Sequence, residues 1–154
     1  MCPEVQAFYD PNSDLTVIYT GATTPLPGGR CVGVPAAPDV GGSAGIDDLG
    51  SGLTKVGLPT AGGWSLGVTS HDVVQNGRVT IMRAPKVVPI EVSAIINAGA
   101  EVMAGVDGRV ATFAAGVGTA GLVAIGRNIG ATTGATGFAK ILLYNSGPSG
   151  LHSA

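Results

Sequence analysis

Glycine and proline punctuate this chain from end to end: 26 glycines and 10 prolines fall among its 154 residues. Glycine weakens a helix through backbone entropy, and proline removes a helical hydrogen bond and clashes with the preceding turn, so this density argues against a mostly helical fold. The runs between them are short and rich in β-branched residues, which suit a pleated surface. The expectation is an all-β fold, a small antiparallel barrel or sandwich. The length holds one domain of ordinary size or two very small ones.

Hydrophobic residues make up 45% of the chain, an ordinary share for a globular protein, but they are mainly alanine and valine, and aromatics are only 5%. Charged residues are 12%, about half the usual share. So few charges cover a free monomer poorly, which points to a subunit partly buried in an assembly. The net charge of -2 comes with eight scattered basic residues, and only Arg78 to Lys86 is locally basic. No phosphate-tracking patch exists, so no nucleic-acid partner is expected. No apolar run approaches the roughly 18 residues of a membrane span, so no membrane partner is expected either. The start, MCPEVQAFYDP, lacks the basic and apolar regions of a secretion signal, and Cys2 and Cys31 form no disulfide framework. The expectation is a cytosol-made protein with free thiols.

Strands are expected at Leu15–Thr20, Arg30–Val34, Trp64–Thr69, Arg78–Arg83, Val87–Ile96, Leu122–Ile125 and Phe138–Tyr144. Pro89 marks a strand start or an edge position. Asn76-Gly77 predicts a tight hairpin between Val73–Gln75 and Arg78–Arg83, and Asp107-Gly108 a second one inside Glu101–Phe113. Ser93–Met103 is the one weak helix candidate. Pro35–Gly52 reads as a long loop, and the glycine-rich stretch before Phe138 as another. The chain divides into an N-terminal arm with the first strand (1–20), a β domain (21–144) and a C-terminal tail (145–154). A faint internal echo relates Gly29-Arg30-Cys31-Val32, Ser65-Leu66-Gly67 and Gly77–Met82 to Gly99-Ala100-Glu101-Val102, Ala124-Ile125-Gly126 and Gly137–Leu142. It outlines two related β-units, 28–83 and 98–143.

Reactive-site patterns occur without the context they need. Gly116, Gly118 and Gly121 match a dinucleotide-binding loop, but no helix pattern follows and no acidic residue lies beyond Asp107. Gly41-Gly42-Ser43-Ala44-Gly45 matches a nucleophile elbow, with Asp47, Asp48 and His71 in suitable order, but neither flanking strand nor helix is present. Ser70, His71 and Asp72 are consecutive, so on a strand they point to opposite faces. His71, His152, Cys2 and Cys31 have no metal-ligand spacing, and Asp39, Asp47 and Asp48 lack the alternation of a calcium loop. No catalytic residue, cofactor or metal is expected. Trp64 reads as a core anchor. Phe8 and Tyr9, in a segment with little local pattern, read as an arm that docks on a neighbour or on its own domain.

AGAEVMAGVDGRVATF followed by AGLVAIGRNIGATTGATGFAKILL, from Ala98 to Leu143, resembles the Ala/Gly/Val-rich capsid decoration, or head-stabilising, proteins of tailed bacteriophages. A weaker likeness runs from Gly28 to Arg83 through GGRCVGV and WSLGVTSHDVVQNGRVTIMR, whereas the arm and Pro35–Pro59 have no counterpart. The resemblance implies a β-tulip-like all-β protein without catalytic activity. It implies a place on the exterior of an assembled virion capsid after synthesis in the host cytoplasm, with the major capsid protein and further copies of the chain, as a homotrimer, for partners. The attachment is expected to be multivalent. Strand addition by Met1 to Tyr19 is the expected route, with Phe8, Tyr9, Leu15, Val17 and Tyr19 at the interface, and deletion of residues 1–14 is expected to weaken it. The alternatives are a non-catalytic binding module of a secreted or virion protein, recognising carbohydrate or another surface, and a small hydrolase. A glycan screen tests the module, and Ser43→Ala tests the hydrolase.

Overall fold

The computed structural model describes residues 14–34, 47–48, 53–114 and 121–144, with backbone alone at 47–48. It is an all-β protein. The strands are β1 (Leu15–Tyr19), β2 (Cys31–Val32), β3 (Asp47–Asp48), β4 (Leu53–Val56), β5 (Gly67–Thr69), β6 (Arg78–Met82), β7 (Val87–Glu91), β8 (Glu101–Ala104), β9 (Val110–Thr112), β10 (Gly126–Asn128) and β11 (Phe138–Leu143). One 3-10 turn, Val106–Gly108, is the only helical element among the described residues. Ser93–Met103 is therefore not a helix: its end is β8, and Gly99 sits at a φ of 78°.

Two sheets form, in the orders β2-β5-β6-β1-β4-β3 and β7-β11-β10-β8-β9. In the first, a bridge from Gly33 to Gly57 joins the strand ends beyond β2 and β4, with both N–H groups donating across it at 2.9 and 3.0 Å. In the second, Val92, just past β7, bridges Val110 of β9. Pairing thus runs around a ring of five strands in each, with β3 appended to the first.

The two rings repeat one another residue by residue. Val32↔Gly67 in the first matches Val102↔Gly126 in the second, and Thr69↔Ile81 matches Asn128↔Ile141. Val17↔Val79 matches Ile90↔Ala139, and the parallel pair Tyr19↔Val56 matches the bridge Val92↔Val110. Turn hydrogen bonds repeat as well: Thr20 N donates to Val56 O at 2.8 Å, and Ser93 N to Val110 O at 2.9 Å. The repeat begins at β1 and β7, upstream of the boundaries 28–83 and 98–143. Inward positions stay apolar in both copies, as in Val17 and Ile90, Leu26 and Ile96, and Ile81 and Ile141, all fully buried. Alternation along a strand sends their neighbours outward.

One cluster fills the first ring around Tyr19, Leu26 and Ile81, while the other fills the second and takes in Cys31 and Val68 from the first. The second ring's core therefore reaches across to the first ring. Trp64 is only half-buried and belongs to neither cluster, so it is not the expected core anchor.

The Asp107-Gly108 hairpin forms between β8 and β9, both residues taking the left-handed conformation at φ 57° and 73°. The Asn76-Gly77 hairpin does not form as a two-residue turn. Asn76 alone has positive φ, at 63°, and Val73 bridges Leu26 instead of pairing with β6. The reason is burial: Val73 lies at 5% exposure within the first ring's cluster, and β6 pairs with β1 and β5. Pro89 lies within β7, an end strand, where a missing N–H is tolerated. Leu122–Ile125 is not a strand; Val123 N and Ile125 N donate to Gly62 O and Val102 O, and pairing begins at Gly126.

Candidate functional site

The reactive groups singled out from sequence do not assemble among the described residues. Ser70 Oγ and His71 Nδ1 lie 2.9 Å apart, because both residues sit in a bend beyond β5 and not on a strand. The reading that adjacency keeps them apart is corrected. The pair is exposed, however, and an Asp72 carboxylate oxygen accepts a hydrogen bond from Gly28 N at 2.9 Å. With Nδ1 facing the serine and Asp72 bound to backbone, the three groups are not in the relay order of a nucleophilic triad.

Cys31 is wholly buried, and burial pushes its thiol up to about 12, against smaller opposing effects from Ser65 and Arg30. A thiol held neutral in this way is a poor nucleophile. No group of three or more His, Cys, Asp or Glu that could hold a metal exists among the described residues. Gly121 is described, at φ 87°. Gly116 and Gly118, the Gly41–Gly45 elbow with Ser43, Asp39, Cys2, His152 and the 145–154 tail lie outside the described residues.

Of the expected interface residues, Phe8 and Tyr9 also lie outside them. Leu15, Val17 and Tyr19 form β1, which pairs with β6 on one side and β4 on the other. Val17 and Tyr19 are fully buried, and Leu15 packs against the same cluster. Side chains wholly enclosed by their own ring are not free to meet a neighbour, so the expectation for Val17 and Tyr19 is corrected.

The surface that does stand out is the outer face of the second ring. Cross-strand neighbours there are Phe138 and Glu91, Lys140 and Pro89, and Leu142 and Val87. Phe138 is 58% exposed, Val87 44% and Leu142 36%. The matching positions of the first ring hold Arg78 and Ile18, Thr80 and Thr16, and Met82 with Asp14. One scaffold thus carries a largely polar outer face in its first copy and, in its second, a mainly apolar one interrupted by Lys140 and Glu91. The inward residues needed for folding are alike, so the difference is not imposed by the ring itself.

Beside this face, Tyr144 donates to Glu101 Oε2 at 2.8 Å, and Arg127 reaches Gly99 O at 3.1 Å and Glu101 Oε1 at 3.9 Å. Partial burial, opposed by the bond from Arg127 and reinforced by that to Glu101, holds the Tyr144 phenol above its ordinary range. The corresponding first-ring residues, Cys31 for Glu101 and Val68 for Arg127, are buried under the second ring. No signal in a lone sequence distinguishes these outward positions; the repeat register does.

No family model matches this chain, and no curated protein does either. Among the described residues, no helix is long and apolar enough to cross a membrane.

Proposed function

We propose that this chain is a structural protein of a phage virion, a non-catalytic subunit that attaches to the outer surface of the assembled capsid and stabilises it by bridging major capsid subunits. The observation that carries the reading is the exposed apolar outer face on the second of two matched rings. A ring with apolar side chains outside as well as inside has surface to bury against a partner. The low charge of the chain and the residue likeness to head-stabilising proteins supply the kind of partner. Each copy contributes modest contacts, and repetition by capsid symmetry, with the chain as a homotrimer, makes the attachment multivalent.

Co-sedimentation of the purified full chain with undecorated phage heads tests this. Binding that saturates at a fixed number of copies per capsomer, and is weakened by Leu142→Asp, is the expected result. A chain that stays in the supernatant at all concentrations would overturn it.

A further inference from the structure

The turn that leads into β6 carries a reactive pair of residues that the fold itself selects. Asn76 takes the left-handed conformation, at φ 63°, which asparagine accepts more readily than most residues. A methyl group on Gly77 would lie 2.8 Å from Val74 O and 3.0 Å from Val73 Cγ2, so nothing larger than glycine fits there without displacing backbone. Asn76 is exposed, and with no side chain on Gly77 the approach of its backbone nitrogen to the Asn76 amide carbon is unhindered. The other described asparagines differ. Asn97 precedes Ala98, and Asn128 precedes Ile129 and is fully buried, its amide given to three carbonyls. In the second ring the matched bond, from Val92 N to Gly137 O, follows Thr136, which has no side-chain amide.

We propose that Asn76 is a site of spontaneous covalent conversion, in which the Gly77 backbone nitrogen attacks the Asn76 side-chain carbonyl carbon. The new N–Cγ bond closes a succinimide ring, the Cγ–Nδ2 bond breaks, and the Gly77 amide proton leaves with the side-chain nitrogen as ammonia. Water then opens the ring at Cγ, giving aspartate, or at the main-chain carbonyl carbon, giving isoaspartate with the chain running through the former side chain. The folded turn sets the pace, because Gly77 N donates to Val74 O at 2.9 Å and that bond must open before the nitrogen can turn on the amide. The isoaspartyl product cannot keep the native pairing. Asn76 N donates to Tyr19 O at 2.6 Å and Tyr19 N to Gly77 O at 3.0 Å, so the extra main-chain atom falls between two bonds anchored on the fully buried Tyr19. The reaction consumes only water, so it does not depend on attachment to a capsid.

Ageing of the purified full chain in mildly alkaline buffer, read by peptide mass spectrometry and by isoaspartyl-methyltransferase labelling, tests it. The acid form should appear at Asn76 ahead of Asn97 and Asn128, and at least about tenfold faster when the same chain is held in urea, since unfolding releases the turn. An Asn76 amide that stays intact in the folded chain would overturn the proposal, and so would equal rates in the two states or earlier conversion at Asn97 or Asn128. The isoaspartyl fraction, separated by chromatography, should melt about 2–4 °C below Asn76→Asp, which carries the same charge on an ordinary backbone. Coincident melts would overturn the disturbance of the Tyr19 pairing.

Discussion

Arg30 is where the two rings grip one another. Its side chain is 7% exposed; Nε and Nη2 donate to Glu91 Oε2 at 2.9 and 2.6 Å, and Nη1 donates to Asp107 O at 2.9 Å. Arg109 Nε lies 3.2 Å from the other Glu91 oxygen without the alignment of a hydrogen bond, so it balances charge but does not replace the fork. Arg30→Ala should cost about 2–3 kcal/mol, less than the roughly 3–5 kcal/mol of a fully buried pair because Glu91 keeps Arg109 and some solvent. Urea unfolding checks this, and Arg30→Lys should recover only part, since an ammonium cannot span both acceptors. The neighbouring Cys31 sets a pH dependence. Its thiol ionises near 9.0 when free and near 12 when folded. Below pH 9 it is neutral in both states. Above that, the unfolded chain loses a proton that the folded chain keeps, so stability falls with rising pH by up to about 1.4 kcal/mol per unit until the folded thiol also ionises. Cys31→Ala should remove this component, visible as a flatter difference in unfolding free energy between pH 9 and 12. Neither residue's role was legible beforehand. Sequence shows Arg30 only as one of eight scattered basic residues at the start of an expected strand, and its acceptors lie 61 and 77 positions away.

At the level of elements, the repeat supplies matched controls. Gly29 and Gly99 occupy the same place ahead of β2 and β8, with φ of 77° and 78°. A methyl group on Gly29 would lie 2.9 Å from Phe138 Cε1 and 3.2 Å from Pro89 O, whereas nothing lies within 4 Å at Gly99. Both alanine variants bear the left-handed backbone penalty of about 1 kcal/mol, but Gly29→Ala should cost up to about 1 kcal/mol more, because the exposed Phe138 ring can turn aside while the Pro89 carbonyl must give by a few tenths of an ångström. Thermal melts of the two variants side by side decide it. The same comparison explains which elements the sequence disclosed. Asp107-Gly108 was readable because both left-handed positions are local to the turn. Asn76-Gly77 misled because Val73 is claimed by Leu26, across the ring. β4 escaped notice: Leu53–Val56 is four residues with polar Thr54 and Lys55 inside it, and its pairing with β1 is parallel and distant in sequence. Asn128 was equally hidden. It is fully buried and its amide donates to Ile96, Asn97 and Ala131 carbonyls, a brace created only when the loops converge.

For the molecule as a whole, the two rings differ in what they turn outward, and that difference orders them. The first ring presents Cys31 and Val68, which enter the second ring's cluster, while the second presents Glu101 and Arg127 at the same register positions. Polar residues at the end of a stack keep a repeat from recruiting another copy of itself, as terminal repeats of solenoids do. The apolar strip on β7 and β11 lies outside that polar cap and remains available for a different contact. Exchanging the residues should therefore have unequal consequences. Val68→Arg would bury an unpaired guanidinium between the rings and should cost at least about 3 kcal/mol, enough to threaten the fold. Arg127→Val removes a half-exposed charge and should change stability by less than about 1 kcal/mol. Its effect should instead appear in association, because the second ring would then carry a valine where the first uses one to bind a ring. Analytical ultracentrifugation of Arg127→Val should show concentration-dependent self-association beyond that of the unsubstituted chain. If Arg127→Val sediments like the parent while Val68→Arg folds normally, the outward residues do not determine which ring covers which.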